Sequence, residues 1–232
     1  MSAEWMRRSR HTEADVTGSR IVLFPFGGNA REAVATIEAL NAAGEAIEIC
    51  GFLDDNFAQI TRAHHPLLGG RDAWPSWRGR ARLLAAPGGP SNYLLRAALI
   101  DSLGAGDSDW ARIIDPSARI AASATVGMNT MIQAHCYVGV DARIGDHCVL
   151  LPQTVVSHDS MVGDHTMVGA HTSISGSVVI GRNCYIGASS SIHQGLTIGD
   201  GALVGIGANV ICDVPPRAVV AGNPARILRI QP

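Results

Sequence analysis

The residues with the densest potential for chemistry lie in the segment 157–172, which reads SHDSMVGDHTMVGAHT. It holds His158, His165 and His171 together with the acids Asp159 and Asp164. Imidazole and carboxylate groups bind metal ions and carry protons in catalysis. The segment therefore predicts a metal site, a proton-transfer site or a polar face of a repetitive scaffold.

The elements that must position these residues follow a six-residue repeat. Every sixth residue from Ile114 to Val210 is aliphatic, the residue two places earlier is usually small, and glycine commonly comes directly after. A fixed short period marks a solenoid, here with the aliphatic and the small residue pointing inward. We expect the glycine to serve the turns through positive φ. The pattern resembles the hexapeptide repeat of the left-handed parallel β-helix, whose triangular coil uses three hexads.

This period distributes the histidines around the coil. His158 follows an inward valine by two positions, whereas His165 and His171 follow one by three, on successive faces. They point in different directions, so we expect no metal at this segment. His147 lies one coil below His165, and His135 lies two coils below His171. Such stacks could bind a metal, but these four histidines are interpreted as solvated or interface side chains. Carbonic anhydrases that share the β-helix place two histidines five residues apart, which no solenoid pair here does.

Composition narrows the class of partner. The formal net charge is -2, with Lys+Arg 18 against Asp+Glu 20, which argues against a broad surface for nucleic acid or anionic membrane. No apolar run is long enough to span a bilayer, and no secretory leader is evident, so a cytoplasmic location is expected. Cys136, Cys148 and Cys184 fall at the small inward position and are interpreted as reduced core residues.

The chain ahead of the repeat has a different character. Residues 1–19 are polar without a period and predict a mobile tail. Residues 20–110 predict a small βαβ domain, with a strand at Ile21 to Phe26, a helix from about Ala30 to Ala43 and a strand from about Ala46 to Leu53. The β-helix is expected over 111–215 and a closing segment over 216–232.

The front domain contains a second candidate site, at the turn between its first strand and its helix. Gly27, Gly28 and Asn29 form this turn, and Asp54 and Asp55 follow the second strand. Backbone N–H groups at a helix N-terminus can hold a phosphate, and an acid after the next strand can hold a sugar hydroxyl. The motif is short, because the full GxGxxG pattern is missing, and an ordinary strand-helix turn is the alternative.

Four short sequences together resemble the NeuD/PglD-like family of sugar O- or N-acyltransferases. They are GFLDD in the front domain, IIDPSARI at the solenoid entry, SHDSMVGD in the coils and VVAGNPARIL at the close. The resemblance implies a homotrimer that transfers an acetyl group from acetyl-CoA, without a metal, to a nucleotide-linked amino sugar for cell-surface glycans. The acceptor is often a 4-amino group.

The resemblance also implies roles for individual residues. His158 matches the family's general base and Asp159 the acid beside it, while a backbone N–H near Gly176 is a candidate donor to the oxyanion. Gly27, Gly28, Asn29, Asp54 and Asp55 would hold the substrate. The residues expected to contact CoA lie on later coils and at the close. They are Met167, Gly176, Gly187, Ala188, Gly205, Ile206 and Arg226.

Two positions depart from the family pattern. Asn29 stands where relatives carry a histidine in the glycine-rich turn, and Met167 stands where many carry a second histidine near the acetyl group. His165 or His171 could replace the latter. The alternatives are O-acetylation of a sugar hydroxyl and a non-catalytic β-helix that binds without chemistry. The nucleotide, UDP, GDP or dTDP, stays open.

Overall fold

The computed structural model describes residues 19–60 and 63–232. The tail predicted for residues 1–19 therefore lies outside the described residues except for its last member. The predicted fold class, a βαβ front domain followed by a left-handed β-helix, is confirmed. No helix in the described ranges is both long and apolar enough to cross a membrane.

The front domain is a parallel sheet of four strands in the order β3-β2-β1-β4. The strand β1 ends one residue before Pro25, which has no N–H to continue the ladder. The helix α1 connects β1 to β2, as the βαβ pattern predicts. The bounds are β1 Arg20–Phe24, α1 Gly28–Ala42, β2 Glu48–Leu53, β3 Leu67–Gly69, β4 Arg82–Ala85 and α2 Arg96–Asp101. Short 3-10 turns lie at Phe57–Gln59, Arg71–Ser76, Tyr93–Leu95 and Asp107–Asp109.

The repeat forms three parallel sheets, one on each face of a triangular coil, and each strand pairs with the strand 18 residues further on, as Val149 does with Met167. Face 1 consists of β5 Ile113–Ile114, β8 Met131–Ile132, β11 Val149–Leu150, β14 Met167–Val168, β17 Tyr185–Ile186 and β20 Leu203–Val204. Face 2 consists of β6 Arg119–Ile120, β9 Tyr137–Val138, β12 Val155–Val156, β15 Ser173–Ile174, β18 Ser191–Ile192 and β21 Asn209–Val210. Face 3 consists of β7 Thr125–Val126, β10 Arg143–Ile144, β13 Met161–Val162, β16 Val179–Ile180 and β19 Thr197–Ile198.

The solenoid core is the stack of inward aliphatic residues that the repeat predicts. Each buried Ile or Val stabilises the coil by roughly 1.5–3 kcal/mol. Cys136, Cys148 and Cys184 are buried free thiols in this core, as predicted. The small inward side chain also supports the next coil, because the Thr154 hydroxyl donates to the Gly169 carbonyl at 3.1 Å and the Cys148 thiol lies 3.3 Å from the Gly163 carbonyl.

The expected role of the hexad glycines is wrong in one respect. The residues with positive φ lie three places after the aliphatic residue and include His135, His147, His165 and His171. The glycine directly after the aliphatic residue is needed for the close approach of coils. A Cβ on Gly187 would lie 2.6 Å from the backbone nitrogen of Ile206 in the next coil.

The solenoid is covered at its C-terminal end and along face 1. The strand β22 Ala218–Gly222 extends face 1, and β23 Ala225–Ile230 folds back on it in antiparallel pairing. Towards the N-terminus, the front domain packs on the outer side of face 1. Leu23 and Phe52 of the front sheet share one apolar core with Met131, Val149 and Met167 of the solenoid.

Candidate active site

His158 and Asp159 form a hydrogen-bonded pair at the corner between faces 2 and 3. The imidazole Nδ1 lies 2.8 Å from Oδ2 of Asp159, and the two side chains are 65% and 58% exposed. Asp159 is one of the turn residues with positive φ, and its backbone nitrogen donates to Val140 of the coil below at 2.9 Å. The coil ladder therefore fixes the backbone that carries the pair.

Gly176, one coil further on, provides the surface on which the imidazole rests. A Cβ at Gly176 would lie 2.5 Å from both Cε1 and Nε2 of His158. Any side chain at this position would displace the ring, so glycine is required here by the histidine. The predicted association of His158, Asp159 and Gly176 is thus present in the geometry.

The chemistry of the pair follows from its hydrogen bond. An ionised carboxylate only accepts, so Nδ1 of His158 donates to Asp159. In the neutral imidazole the lone pair then lies on Nε2, at the edge of the ring that rests on Gly176, and the side chain as a whole is 65% exposed. The arrangement can take a proton from a group bound above Gly176 and can stabilise the imidazolium that results.

The residues expected to contact CoA occupy a different corner. Gly187, Ala188, Gly205 and Ile206 lie between faces 1 and 2, and Ile206 is 77% exposed. Gly187 and Gly205 have a structural role in coil packing, since a Cβ on either would lie within 3 Å of the neighbouring coil or strand. Within one chain this corner is separated from His158 by the whole of face 2.

Two more of the expected cofactor contacts lie elsewhere. Arg226 is exposed on the closing hairpin, where its guanidinium donates to its neighbour Ala225 at 2.9 Å. Met167 is only 4% exposed, because its side chain packs in the core between face 1 and the front domain. The expectation that Met167 contacts the acetyl group is therefore not supported by its position.

The front turn has the features of an anion site. Gly27 is the N-cap of α1, no side chain caps the helix, and its first turn carries no acid. The space beside the Cα of Gly28 is open, with no atom within 4 Å of a Cβ built there. The exposed N–H groups of the first turn and the helix dipole would attract a phosphate.

Asn29 and the two candidate acids are already engaged around this turn. The Asn29 amide donates to the carbonyls of Ala86 and Gly88 at 3.3 and 3.1 Å. Asp54 accepts from the backbone nitrogen of Phe26 at 2.9 Å, and thereby holds the turn.

Asp55 also has a partner, since it accepts from the backbone and the guanidinium of Arg71. Arg71 lowers the pKa of Asp55 below its usual value. Asp54 thus lies beside the turn as predicted and shapes it, whereas the contacts of Asp55 are with Arg71, in the segment that follows β3.

The other solenoid histidines divide into two kinds. His135 and His171 are exposed at the corner between faces 1 and 2, as the sequence predicts. The interpretation of His147 and His165 as solvated or interface residues is wrong, because the front domain covers them. Their rings stack in parallel with centroids 4.7 Å apart, and His165 is only 7% exposed.

Burial changes the acid–base behaviour of this stacked pair. It lowers the pKa of His147 to about 3 and of His165 to about 4, and the positive charge of Arg96 adds to both effects. These imidazoles are therefore neutral at physiological pH. Among residues 19–60 and 63–232 no cluster of three or more His, Cys, Asp or Glu side chains could hold a metal ion.

Arg96 is a residue that the sequence analysis did not single out. It begins α2, its side chain is completely buried, and it donates to the carbonyls of Pro87 and His147, the latter at 2.7 Å. Burial lowers the pKa of Arg96 to about 10. An arginine within the apolar run YLLRAALI is the signal that could have identified it.

Solved structures similar to this chain include acetyltransferases. PerB from Caulobacter crescentus, in complex with CoA and GDP-perosamine, is 27% identical, with a TM-score of 0.76 over 90% of this chain and 97% of that chain. The acetyltransferase domain of PglB from Neisseria gonorrhoeae, in complex with acetyl coenzyme A, is 26% identical, with a TM-score of 0.78 over 90% and 99%. The neighbours include GDP-perosamine N-acetyltransferase variants in which one histidine is replaced by alanine or asparagine.

Further comparisons bear on the fold. WeeI from Acinetobacter baumannii, 20% identical with a TM-score of 0.61 over 90% of this chain and 99% of that chain, shares the architecture. The family model of the GMPPB C-terminal domain matches residues 110–204. No curated relative matches the sequence. The predicted resemblance to the NeuD/PglD-like sugar acyltransferases, and with it the acyltransferase class, is confirmed by the structural neighbours.

Proposed function

We propose that this chain is an acetyl-CoA-dependent N-acetyltransferase acting on the amino group, preferably the 4-amino group, of a nucleotide-linked amino sugar. The observation that carries the proposal is the His158 imidazole, which rests on Gly176, is 65% exposed and has its Nδ1 bonded to Asp159. The neighbours with CoA, acetyl-CoA or GDP-perosamine bound support it, because they combine the same fold with this class of ligand.

The reaction needs one base and no enzyme nucleophile, since a thioester is already activated. The amine nitrogen attacks the thioester carbonyl carbon, a C–N bond forms, and Nε2 of His158 takes the proton that the nitrogen loses. The oxyanion then collapses, the C–S bond breaks, and the imidazolium returns its proton to the CoA sulfur. Asp159 stabilises the transient positive charge on the ring.

The front turn would bind the nucleotide part of the acceptor. At the N-terminus of α1 no side chain caps the helix, and no atom lies within 4 Å of a Cβ built on Gly28. A diphosphate carries the charge that this helix end attracts. Asn29 supports the site indirectly, because its amide holds the segment 86–88 next to the turn.

The CoA site is proposed to form between copies of the chain in a homotrimer. His158 and the corner around Gly187 and Ile206 are on opposite edges of face 2, so a neighbouring solenoid would bring one copy's histidine to another's corner. The outward side chains Tyr137 and Val179, 44% and 40% exposed on faces 2 and 3, are apolar groups that such an assembly would cover.

The direct test is an acetyl-transfer assay on the purified protein. It would use acetyl-CoA with UDP-, GDP- and dTDP-linked 4-amino sugars, and matched nucleotide sugars with a 4-hydroxyl group. We expect acetylation of one or more amino sugars, detected as a mass increase of the acceptor together with free CoA thiol. Acetylation of the hydroxyl analogues alone would favour O-transfer, and no transfer to either set would contradict the proposal.

The shared site can be tested by mixing two inactive variants. His158→Ala removes the base, and Ile206→Glu places a charge at an exposed position of the other corner. Neither homotrimer should be active, but trimers that contain both chains should regain activity because some sites combine two intact halves. Light scattering would check the trimer. Absence of any regained activity in verified mixed trimers would contradict a site between copies.

A further inference from the structure

One buried amide bridges the front sheet and the solenoid at their junction. Asn129, 1% exposed at a turn between faces 3 and 1, accepts from the backbone nitrogen of Ala85 at 2.7 Å. Its Nδ2 donates to the carbonyl of the same residue at 3.0 Å. Because a backbone nitrogen only donates and a carbonyl only accepts, Ala85 fixes which end of the amide carries the oxygen.

The fixed amide determines the protonation of His147. Nδ2 of Asn129 lies 2.9 Å from Nδ1 of His147 as well as 3.0 Å from the Ala85 carbonyl, so its two hydrogens are both used. Nδ1 of His147 must then be an acceptor, which requires it to be unprotonated. A proton on Nδ1 would place two N–H donors, those of His147 and Asn129, against each other. Rotating the amide by 180° would instead place its NH₂ group against the N–H of Ala85 and its oxygen against the Ala85 carbonyl.

The surroundings of His147 also disfavour a positive charge. The His165 ring stacks on it, the Trp110 ring meets it edge-on at 5.0 Å, and Arg96 donates to its carbonyl at 2.7 Å. Nδ1 of His165 is buried with no hydrogen-bond partner. The charged groups that act on the stacked pair are Arg96, Arg182, Asp101 and Asp164.

We propose that neutral His147 is a positioning residue, a proton-sensitive latch whose Nδ1 holds Asn129 on Ala85 and so fixes the segment that carries the front turn. Ala85 is the last residue of β4 and is followed by Ala86 and Gly88, whose carbonyls accept from Asn29 at the start of α1. The effect of the latch on catalysis rests on the proposed function, but the latch itself does not.

The direction of the pH effect follows from the burial of the ring. The pKa of His147 lies at about 3 when the domains are docked, against about 6.5 for an exposed histidine. The docked state therefore binds the proton less well, and docking weakens as pH falls below about 6.5. Each pH unit below that value weakens docking through His147 by at most about tenfold.

Hydrogen exchange on the full chain tests the latch directly. The Ala85 amide, which donates to Asn129, should lose about tenfold in protection between pH 7.5 and pH 5.5 after correction for the intrinsic rate. In His147→Gln the side-chain oxygen can accept from Asn129 without titrating, so the loss should shrink to the part that buried His165 contributes. His171→Gln, at an exposed turn on another corner, is the matched control and should behave as the natural chain does.

Two further readouts make the test decisive. In Asn129→Asp the carboxylate can accept from protonated His147, so protection of Ala85 should rise with acid. In the natural chain, KM for the nucleotide sugar should rise at pH 5.5 while KM for acetyl-CoA stays constant, and His147→Gln should reduce this rise. Without any transfer activity the proposed function would fail, and exchange would still decide on the latch.

The latch would be overturned by equal loss of Ala85 protection in the natural chain and in folded His147→Gln. If that variant does not fold, ¹³C-labelled histidine NMR of the natural chain replaces it. Loss of the Ala85 contact should then coincide with the titration of His147. A midpoint near 6.5 for His147 with full protection at Ala85 would equally reject the proposal.

Discussion

His158 and His147 are two histidines of one repeat with opposite surroundings. Each lies at a corner of the coil and is held by a neighbouring polar side chain. His158 donates to a carboxylate and has a side chain that is 65% exposed, whereas His147 accepts from an amide under a second domain. The difference lies in what covers the corner, and it separates a residue suited to move protons from one suited to remain neutral.

The largest effect is expected from His158→Ala, which tests whether the exposed histidine moves protons. Loss of a general base lowers turnover by about two to four orders of magnitude. The side chain is 65% exposed, so folding and assembly should be unaffected. Steady-state release of CoA thiol measures the change, with His135→Ala, at an exposed turn two coils before His171, as the control. Near-natural kcat would remove His158 from its proposed role.

Gly176→Ala tests whether the contact between the His158 imidazole and Gly176 matters for catalysis. The new methyl group would overlap the ring at 2.5 Å, so the histidine must swing away from its present position. Misplacing a catalytic group by about 1 Å can cost about 10²-fold. We expect a fall in kcat of that order with little change in thermal unfolding. Ser177→Ala, at the adjacent exposed turn residue, should keep its activity. Equal losses in both variants would show that the contact between Gly176 and the imidazole has no special role.

Asp159→Asn should have a smaller effect on the same pair. The amide can still contact the imidazole, but it cannot offset the charge that the ring gains during transfer. A drop in kcat of about tenfold is expected, with KM for acetyl-CoA unchanged. An unaltered kcat would show that the carboxylate only shapes the turn.

The last effect concerns the stability of the buried corner rather than a rate. Because His147 and His165 have lowered pKa values, the unfolded chain binds more protons below pH 6.5, and stability falls as pH drops from about 6.5 towards 4. Each histidine contributes at most about 1.4 kcal/mol per pH unit. Thermal unfolding between pH 7.5 and 5 should show this slope flattened in the double variant His147→Gln/His165→Gln. The pair His135→Gln/His171→Gln should leave the slope unchanged, and an equal slope in all chains would refute the distinction.

The sequence was sufficient for everything that depends on the period of the repeat. Six-residue spacing predicted the coil, the inward aliphatic residues, the buried thiols of Cys136, Cys148 and Cys184, and the different directions of the histidines. It also predicted that His158, Asp159 and Gly176 would be neighbours through the family resemblance. These features are local in the coil, so a pattern along the chain determines them.

What the sequence could not predict depends on which outward face a second part of the chain covers. Met167 and His165 have the same outward-facing positions as solvent-exposed residues elsewhere, and only docking of the front domain buries them. Arg96 is fixed by carbonyls from two distant segments, which leave no periodic signal. The glycine role was misjudged because close contact between coils, unlike φ, is a property of residues 18 places apart.

The positive-φ turns have a consequence for how such a protein can change. Their backbone conformation is set by the coil, and Asn, His, Asp, Gln, Ser and Arg all adopt it here. These turn positions recur every six residues along the chain, and positions 18 residues apart lie above one another at one corner. A side chain at such a position can be replaced while the inward stack stays the same. Residues for catalysis at one corner and for interdomain attachment at another can then change independently, because neither set contributes to the inward stack that holds the coil.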